Sequence, residues 1–315
     1  MLNIQGFHPD LPPALRARVT IVLAFAVVAI SSSAVLVRGM DMGPIAIAAW
    51  RTLGSALLLS PGIYWGRSEV GLSQGIGILC AGAALALHFP LWFASLDYTP
   101  ILRSTVLVAL VPIWTGLLEW FFDAERPSRR FWLGVGLAIP GVAILSGADG
   151  WEPGTLYGDA LALAGGMAWA VYLLVGRRVR QTVQITTYMG LVCAVAAVFL
   201  FPVAWFTGPL VGFGSKTWVL LAAAILAPQL VGHQGSSYAL RYLPASIVSA
   251  VLLLEPVGAT VLGALVYDEI PSALGVLGGL MVIGGVVSAT LSRAPGSEDS
   301  HPGGETHEYE GPDGQ

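Results

Sequence analysis

Two stretches of this 315-residue chain, SLDYTPILRSTVLVALVPIWTGLLEWFFDAERPS (Ser95–Ser128) and ALRYLPASIVSAVLLLEPVGATVLGALVYDEIPS (Ala239–Ser272), decide how the rest is read. A shift of 144 residues superposes Tyr98 on Tyr242, Pro100 on Pro244, Pro112 on Pro256, Glu125 on Glu269, Pro127 on Pro271 and Ser128 on Ser272 without a gap. Both stretches are apolar enough to cross a bilayer, and the second places a lone carboxylate, Glu255, in the middle of its run. A repeat of one apolar segment implies a repeat of the unit around it, so the chain is expected to be two related halves.

Composition agrees with a membrane protein. Hydrophobic residues make up 55% of the chain and charged residues 11%, against roughly 25% charged in an average soluble domain. The formal net charge of -4 owes much to Glu298, Asp299, Glu305, Glu308, Glu310 and Asp313 in the last stretch, whose composition predicts a disordered acidic tail over residues 293–315. Cys80 and Cys193 fall inside apolar runs, where a thiol acts as a small buried hydrophobe. The chain has no P-loop, no His-Glu-x-x-His or Cys-x-x-Cys spacing and no basic patch interleaved with aromatics, so no cofactor, metal or nucleic acid is expected.

A bilayer-spanning helix needs about 20 apolar residues. Ten segments qualify, at about 18–37, 44–65, 72–95, 99–122, 130–147, 156–176, 184–206, 216–239, 244–267 and 272–292. The expected architecture is therefore all-α and integral to the membrane: ten transmembrane helices as two inverted five-helix repeats, residues 18–147 and 156–292. With residues 1–17 in the cytoplasm, eleven of the fifteen basic residues face the cytoplasm: Arg16, Arg18, Arg67, Arg126, Arg129, Arg130, Arg177, Arg178, Arg180, Arg241 and Arg293. The opposite topology inverts that ratio, so both termini are expected inside. An odd number of crossings per half turns the second half upside down. Inverted repeats are the architecture of transporters, because two similar halves can open one central site to either side in turn.

The paired motifs, each ending its helix with Glu and then Pro, resemble the EamA-type, ten-helix branch of the drug/metabolite transporter superfamily, over about residues 18–292. That resemblance implies a carrier of the bacterial inner membrane, often an exporter of amino acids or other small metabolites, with a central cavity between its halves. The chain departs from the family where members commonly carry Gly-Glu, having Ala124-Glu125 and Asp268-Glu269 instead.

Polar residues inside apolar helices are the candidates for solute binding, because polar groups facing lipid are costly and such side chains turn toward protein or a cavity. His88, Trp92 and Ser95 recur at helical spacing in the third segment, as do Gln229, His233 and Ser236/Ser237 in the eighth. Each His can instead serve only as an interhelical hydrogen-bond donor. Trp169 and Tyr172 share a face of the sixth segment, Trp114 is a further aromatic, and Asp159 reads as a charge at a helix N-terminus. The expected substrate-binding set is His88, Trp92, Trp169, Tyr172, Gln229, His233 and Ser237.

Glu255 and Arg51 are the candidates for proton coupling or charge pairing. A charge at a helix centre costs about 2.5–3.5 kcal/mol on insertion scales. Glu255 can be offset by protonation, by pairing with a cation such as Arg51, or by backbone donors at a break caused by Pro256. Arg51 can meet an anionic group of the solute or anchor its helix. The runs GVGLAIPG and GVLGGLMVIGG permit close helix approach and read as packing or homodimer surfaces. A passive channel and an intramembrane enzyme are the alternatives. The first lacks a symmetric filter, and the second would need more than the His233 and Ser236/Ser237 of GHQGSS.

Overall fold

The computed structural model describes residues 11–95, 97–98, 104, 107–123, 126–145, 156–268 and 271–291, all helices and connections. The paired Glu125 and Glu269, together with Pro100, Arg103 and the acidic tail, lie outside the described residues. The helices are α1 (Pro13–Arg38), α2 (Pro44–Leu58), α3 (Ser60–Gly66), α4 (Leu72–Ser95), α5 (Val111–Phe122), α6 (Arg129–Leu145) and α7 (Leu156–Arg180). They continue with α8 (Ile185–Thr207), α9 (Ser215–Ala224), a π-helical stretch (Ile225–His233), α10 (Gln234–Ala239), α11 (Ala245–Leu252), α12 (Glu255–Tyr267) and α13 (Ala273–Thr290). Among the described residues, seven helices are long and apolar enough to cross a membrane, with Pro44–Leu58 a shorter apolar helix.

Helix starts follow local chemistry. Pro13 and Pro44 occupy first turns, where a missing N–H leaves nothing unsatisfied. The Ser272 hydroxyl accepts from the Gly275 N–H at 3.1 Å and caps α13. The Glu69 carboxylate does the same for α8 from a distance in sequence, accepting from the Gln184 N–H at 2.7 Å. Arg177, Arg178 and Arg180 fill the last turn of α7, where cations complement the helix dipole.

Proline divides three segments that the hydropathy pattern draws as continuous. Pro61 has no N–H for the Leu57 carbonyl, and the second segment splits into α2 and α3. Pro256 fails the Leu252 carbonyl in the same way, so the ninth segment breaks between α11 and α12, where a break at Pro256 was anticipated. Pro112 repeats this one shift earlier: a turn at Ala109 and Leu110 precedes α5 as a turn at Leu253 and Leu254 precedes α12. In the eighth segment Pro228 lies inside the π-helical stretch, whose wider turn accommodates the ring.

The main pairings are α6 with α13, α4 with α7 and α8, α2 with α8, α1 with the π stretch and α12, α5 with α7, and α5 with α11. Exchanging residues before 147 with those after 156 maps these pairings onto one another: α4 on α7 becomes the π stretch on α1, and α5 on α7 becomes α12 on α1. The α6–α13 contact is backbone to backbone. A Cβ on Gly285 would stand 2.5 Å from the Gly134 carbonyl oxygen, and one on Gly141 2.8 Å from that of Gly278. The two small-residue runs thus pack on each other within one chain. Phe25, Trp65, Phe121, Trp205 and Phe206 lie on the outer surface, an arrangement suited to hydrocarbon and hazardous in water.

Candidate functional site

The breaks before Pro112 and Pro256 open onto one cavity of about 500 Å³, bordered by Val108, Ala109, Val111 and Pro112 on one side and Leu252, Leu253, Glu255 and Pro256 on the other. The rest of the wall comes from α1, α2, α4, α7 and the π stretch, which supply Ser33, Arg51, His88, Trp92, Trp169 and His233. Of the nine expected site residues, six line this cavity: His88, Trp92, Trp169, His233, Glu255 and Arg51.

The aromatic wall is continuous. Trp169 sits between the two histidines, with ring centroids 5.0 Å from His88 and 5.1 Å from His233, and His88 stacks on Trp92 at 6.0 Å and 23°. His88 Nδ1 lies 2.9 Å from the Gly165 carbonyl oxygen. A carbonyl only accepts, so Nδ1 donates in this contact. The contact requires α4 and α7 to close tightly, and Gly165 permits it: a Cβ there would be 3.3 Å from the Trp92 nitrogen. His233 is buried, and among the described residues its Nδ1 has no hydrogen-bond partner.

Arg51 is 5% exposed and is held from two sides. Its Nη1 donates to the Ser33 hydroxyl and its Nη2 to Gln229 Oε1, both at 3.1 Å, while among the described residues Nε has no partner. Glu255 occupies the first turn of α12, where the helix dipole favours a carboxylate. Its backbone carbonyl accepts from the Ser31 hydroxyl at 3.1 Å. No ion pair within 4.0 Å joins Glu255 to Arg51 among the described residues, and no backbone donor reaches the carboxylate there.

Three expected site residues stand behind the wall. Gln229 is 1% exposed and positions Arg51, with its Nε2 donating to Cys193 Sγ at 3.7 Å. The Tyr172 and Ser237 hydroxyls bond each other at 2.8 Å, both fully buried. Their helical spacing was sound, but the π stretch and the close α7 contact turn them into helix packing. Ser95 likewise bonds the Ser104 hydroxyl at 2.6 Å.

From Ser249, on the cavity wall, toward the end of α5 the same helices are tied together. Along α5, Thr115 shares a 2.7 Å hydrogen bond with Ser249 on α11. One turn further, the buried Glu119 carboxylate accepts from the Ala245 N–H at 2.5 Å, capping α11, and from Arg177 at 3.4 Å. At the end of α5, Asp123 accepts from Arg178 Nε at 3.0 Å. The sequence reading passed over Glu119, although a lone carboxylate in TGLLEWFF is the same signal that marked Glu255.

A solute-sized chamber with polar groups on its wall, inside a bundle with an apolar exterior, is the architecture of a membrane transporter. The EamA-like transporter family model matches residues 18–147 and again residues 156–291, and the chain belongs to that family. It is 28% identical over 271 residues to the uncharacterized transporter YwfM of Bacillus subtilis, covering 82% of this chain and 88% of that one. It is 27% identical over 287 residues to the threonine/homoserine exporter RhtA of Salmonella typhimurium, covering 86% and 91%. A solved crystal structure at 21% identity shares the fold, with a TM-score of 0.74 over 87% of this chain and 98% of that one. The family and these relatives are transporters, not enzymes.

Proposed function

We propose that this protein is a secondary transporter that exports a small amphipathic metabolite, an amino acid or a similar solute, across the bacterial inner membrane by alternating access. The observation that carries the reading is the cavity of about 500 Å³ bordered by both broken helices, with α5 and α11 bonded to each other toward one of its ends. The working architecture is ten crossings in two inverted five-helix units with both termini cytoplasmic. The exchange symmetry of the helix pairings supports it, as does the distribution of arginines. On that topology the ties among Thr115, Glu119, Asp123, Arg177 and Arg178 close the cytoplasmic end. The printed activity of RhtA, threonine and homoserine export, supports an amino acid as solute and export as direction. Glu255 is the group suited to coupling solute and proton movement, because it is a carboxylate in the wall of the chamber.

The test is flux of labelled amino acids in proteoliposomes, with and without an imposed pH gradient, in the wild type and Glu255→Gln. Saturable, gradient-stimulated flux lost in the variant is the expected result. Linear, non-saturating flux would make the protein a channel, and saturable flux indifferent to pH and to the substitution would remove the proton.

A further inference from the structure

The cavity wall carries a guanidinium and a carboxyl group that do not pair within 4.0 Å. Arg51 is fixed by Ser33 and Gln229 with Nε left over, and Glu255 presents a carboxylate that no side chain or backbone donor meets among the described residues. Unlike charges that share one chamber attract. A protein that needed only stability would close that gap or replace both groups with apolar ones. The Arg51 head is held instead by Ser33 and Gln229, and Glu255 stands in the first turn of α12 beside Pro256. A singly charged solute would satisfy one group and leave the other without a partner. A zwitterion satisfies both, bridging them while its side chain lies against Trp92 and Trp169.

We propose that the solute is recognised as a zwitterion by both of its ends, with Arg51 taking the carboxylate, Glu255 taking the ammonium, and the His88–Trp92–Trp169 wall taking an apolar or aromatic side chain. This rests on the carrier reading above and narrows it to a substrate class. Gln229 then acts as a positioning residue for the guanidinium. Tyr172 and Ser237 have no part in recognition.

The experiment is counterflow of labelled L-phenylalanine and L-leucine in proteoliposomes at equal pH on both sides. The competitors are the free amino acid, its decarboxylated amine (2-phenylethylamine, isopentylamine) and its N-acetyl acid. The expected result for the wild type is that each free amino acid competes at least about tenfold better than either analogue, the size of one lost charge-assisted hydrogen bond. Glu255→Gln should lose its preference against the N-acetyl acid and keep that against the amine, and Arg51→Gln should do the reverse. Glu255→Asp and Arg51→Lys, which retain the charges, should keep part of both preferences.

A wild type that carries the amino acids but takes the amine or the N-acetyl acid equally well overturns the proposal and leaves the carrier standing. Parallel loss of all three competitors in both glutamine variants, with unchanged thermal melting, overturns it as well, since groups that shape the cavity without touching the solute would act that way. No counterflow of either amino acid in the wild type removes the amino-acid reading itself, and this proposal with it.

Discussion

The two ends of α5 treat polar groups in opposite ways. At Val111 and Pro112 the helix borders a chamber where the Glu255 carboxylate, Arg51 Nε and His233 Nδ1 have no partner among the described residues. At Thr115, Glu119 and Asp123 it meets a hydroxyl, a helix N-terminus and two guanidinium groups. In a bilayer an unmet polar group is costly, and water cannot reach most of the bundle to relieve it. The contrast therefore separates two tasks on one helix. On the transport function proposed above, the tied end holds one arrangement of the bundle, and the groups on the cavity wall are left for the solute.

Five substitutions can break or sharpen that contrast. The largest effect is expected from Glu255→Val. Amino-acid flux should fall about 100-fold, since a hydrogen bond to a charged group is worth up to about 3 kcal/mol. Adding Val111→Glu at the matching break should not restore it; a rescued flux would show that only the charge, not its position opposite Arg51, matters. Glu119→Ala should leave competition by amino acids intact and lower the melting temperature in detergent, by a cost of about 1–3 kcal/mol for the orphaned Ala245 N–H. A selectivity change there would erase the division between the two ends. Thr115→Val should cost about 0.6 kcal/mol, near the mean for hydrogen bonds between membrane helices, again read by thermal melting. Asp123→Asn should be the mildest, under about 1 kcal/mol and fading with added salt, because Arg178 is 47% exposed.

Much of the fold is legible in the sequence, and for a physical reason: crossing a bilayer demands apolar length, and proline interrupts it predictably. Glu255, Arg51 and the two histidines were found because a polar residue in hydrocarbon must face something. What the sequence hid were the consequences of helix rotation. Spacing put Gln229 and Ser237 on one face with His233, yet the structure sets Gln229 behind Arg51 and Ser237 against Tyr172. Nothing in ILAPQLVGH distinguishes five-residue from four-residue hydrogen bonding, so the π stretch was invisible. Glu119 was legible and overlooked. Its partner, the N–H of Ala245, was not, because a backbone donor carries no mark in the sequence.

The π stretch also has a consequence for how the chain tolerates change in length. A run of π turns spends more residues per turn than an α-helix, so Ile225–His233 carries surplus chain between the ordinary helices α9 and α10. Deleting one residue from almost any other membrane helix rotates everything beyond it by about 100°, one residue's share of an α-helical turn, and turns its buried face outward. A deletion at Leu226 or Leu230 can be absorbed by letting wide turns relax to standard ones, with Gln234–Ala239 left in register. Homologous chains that differ by a single residue here would keep the same scaffold while re-aiming Gln229 and His233, so this segment is a place where length, not only composition, can retune what the carrier accepts.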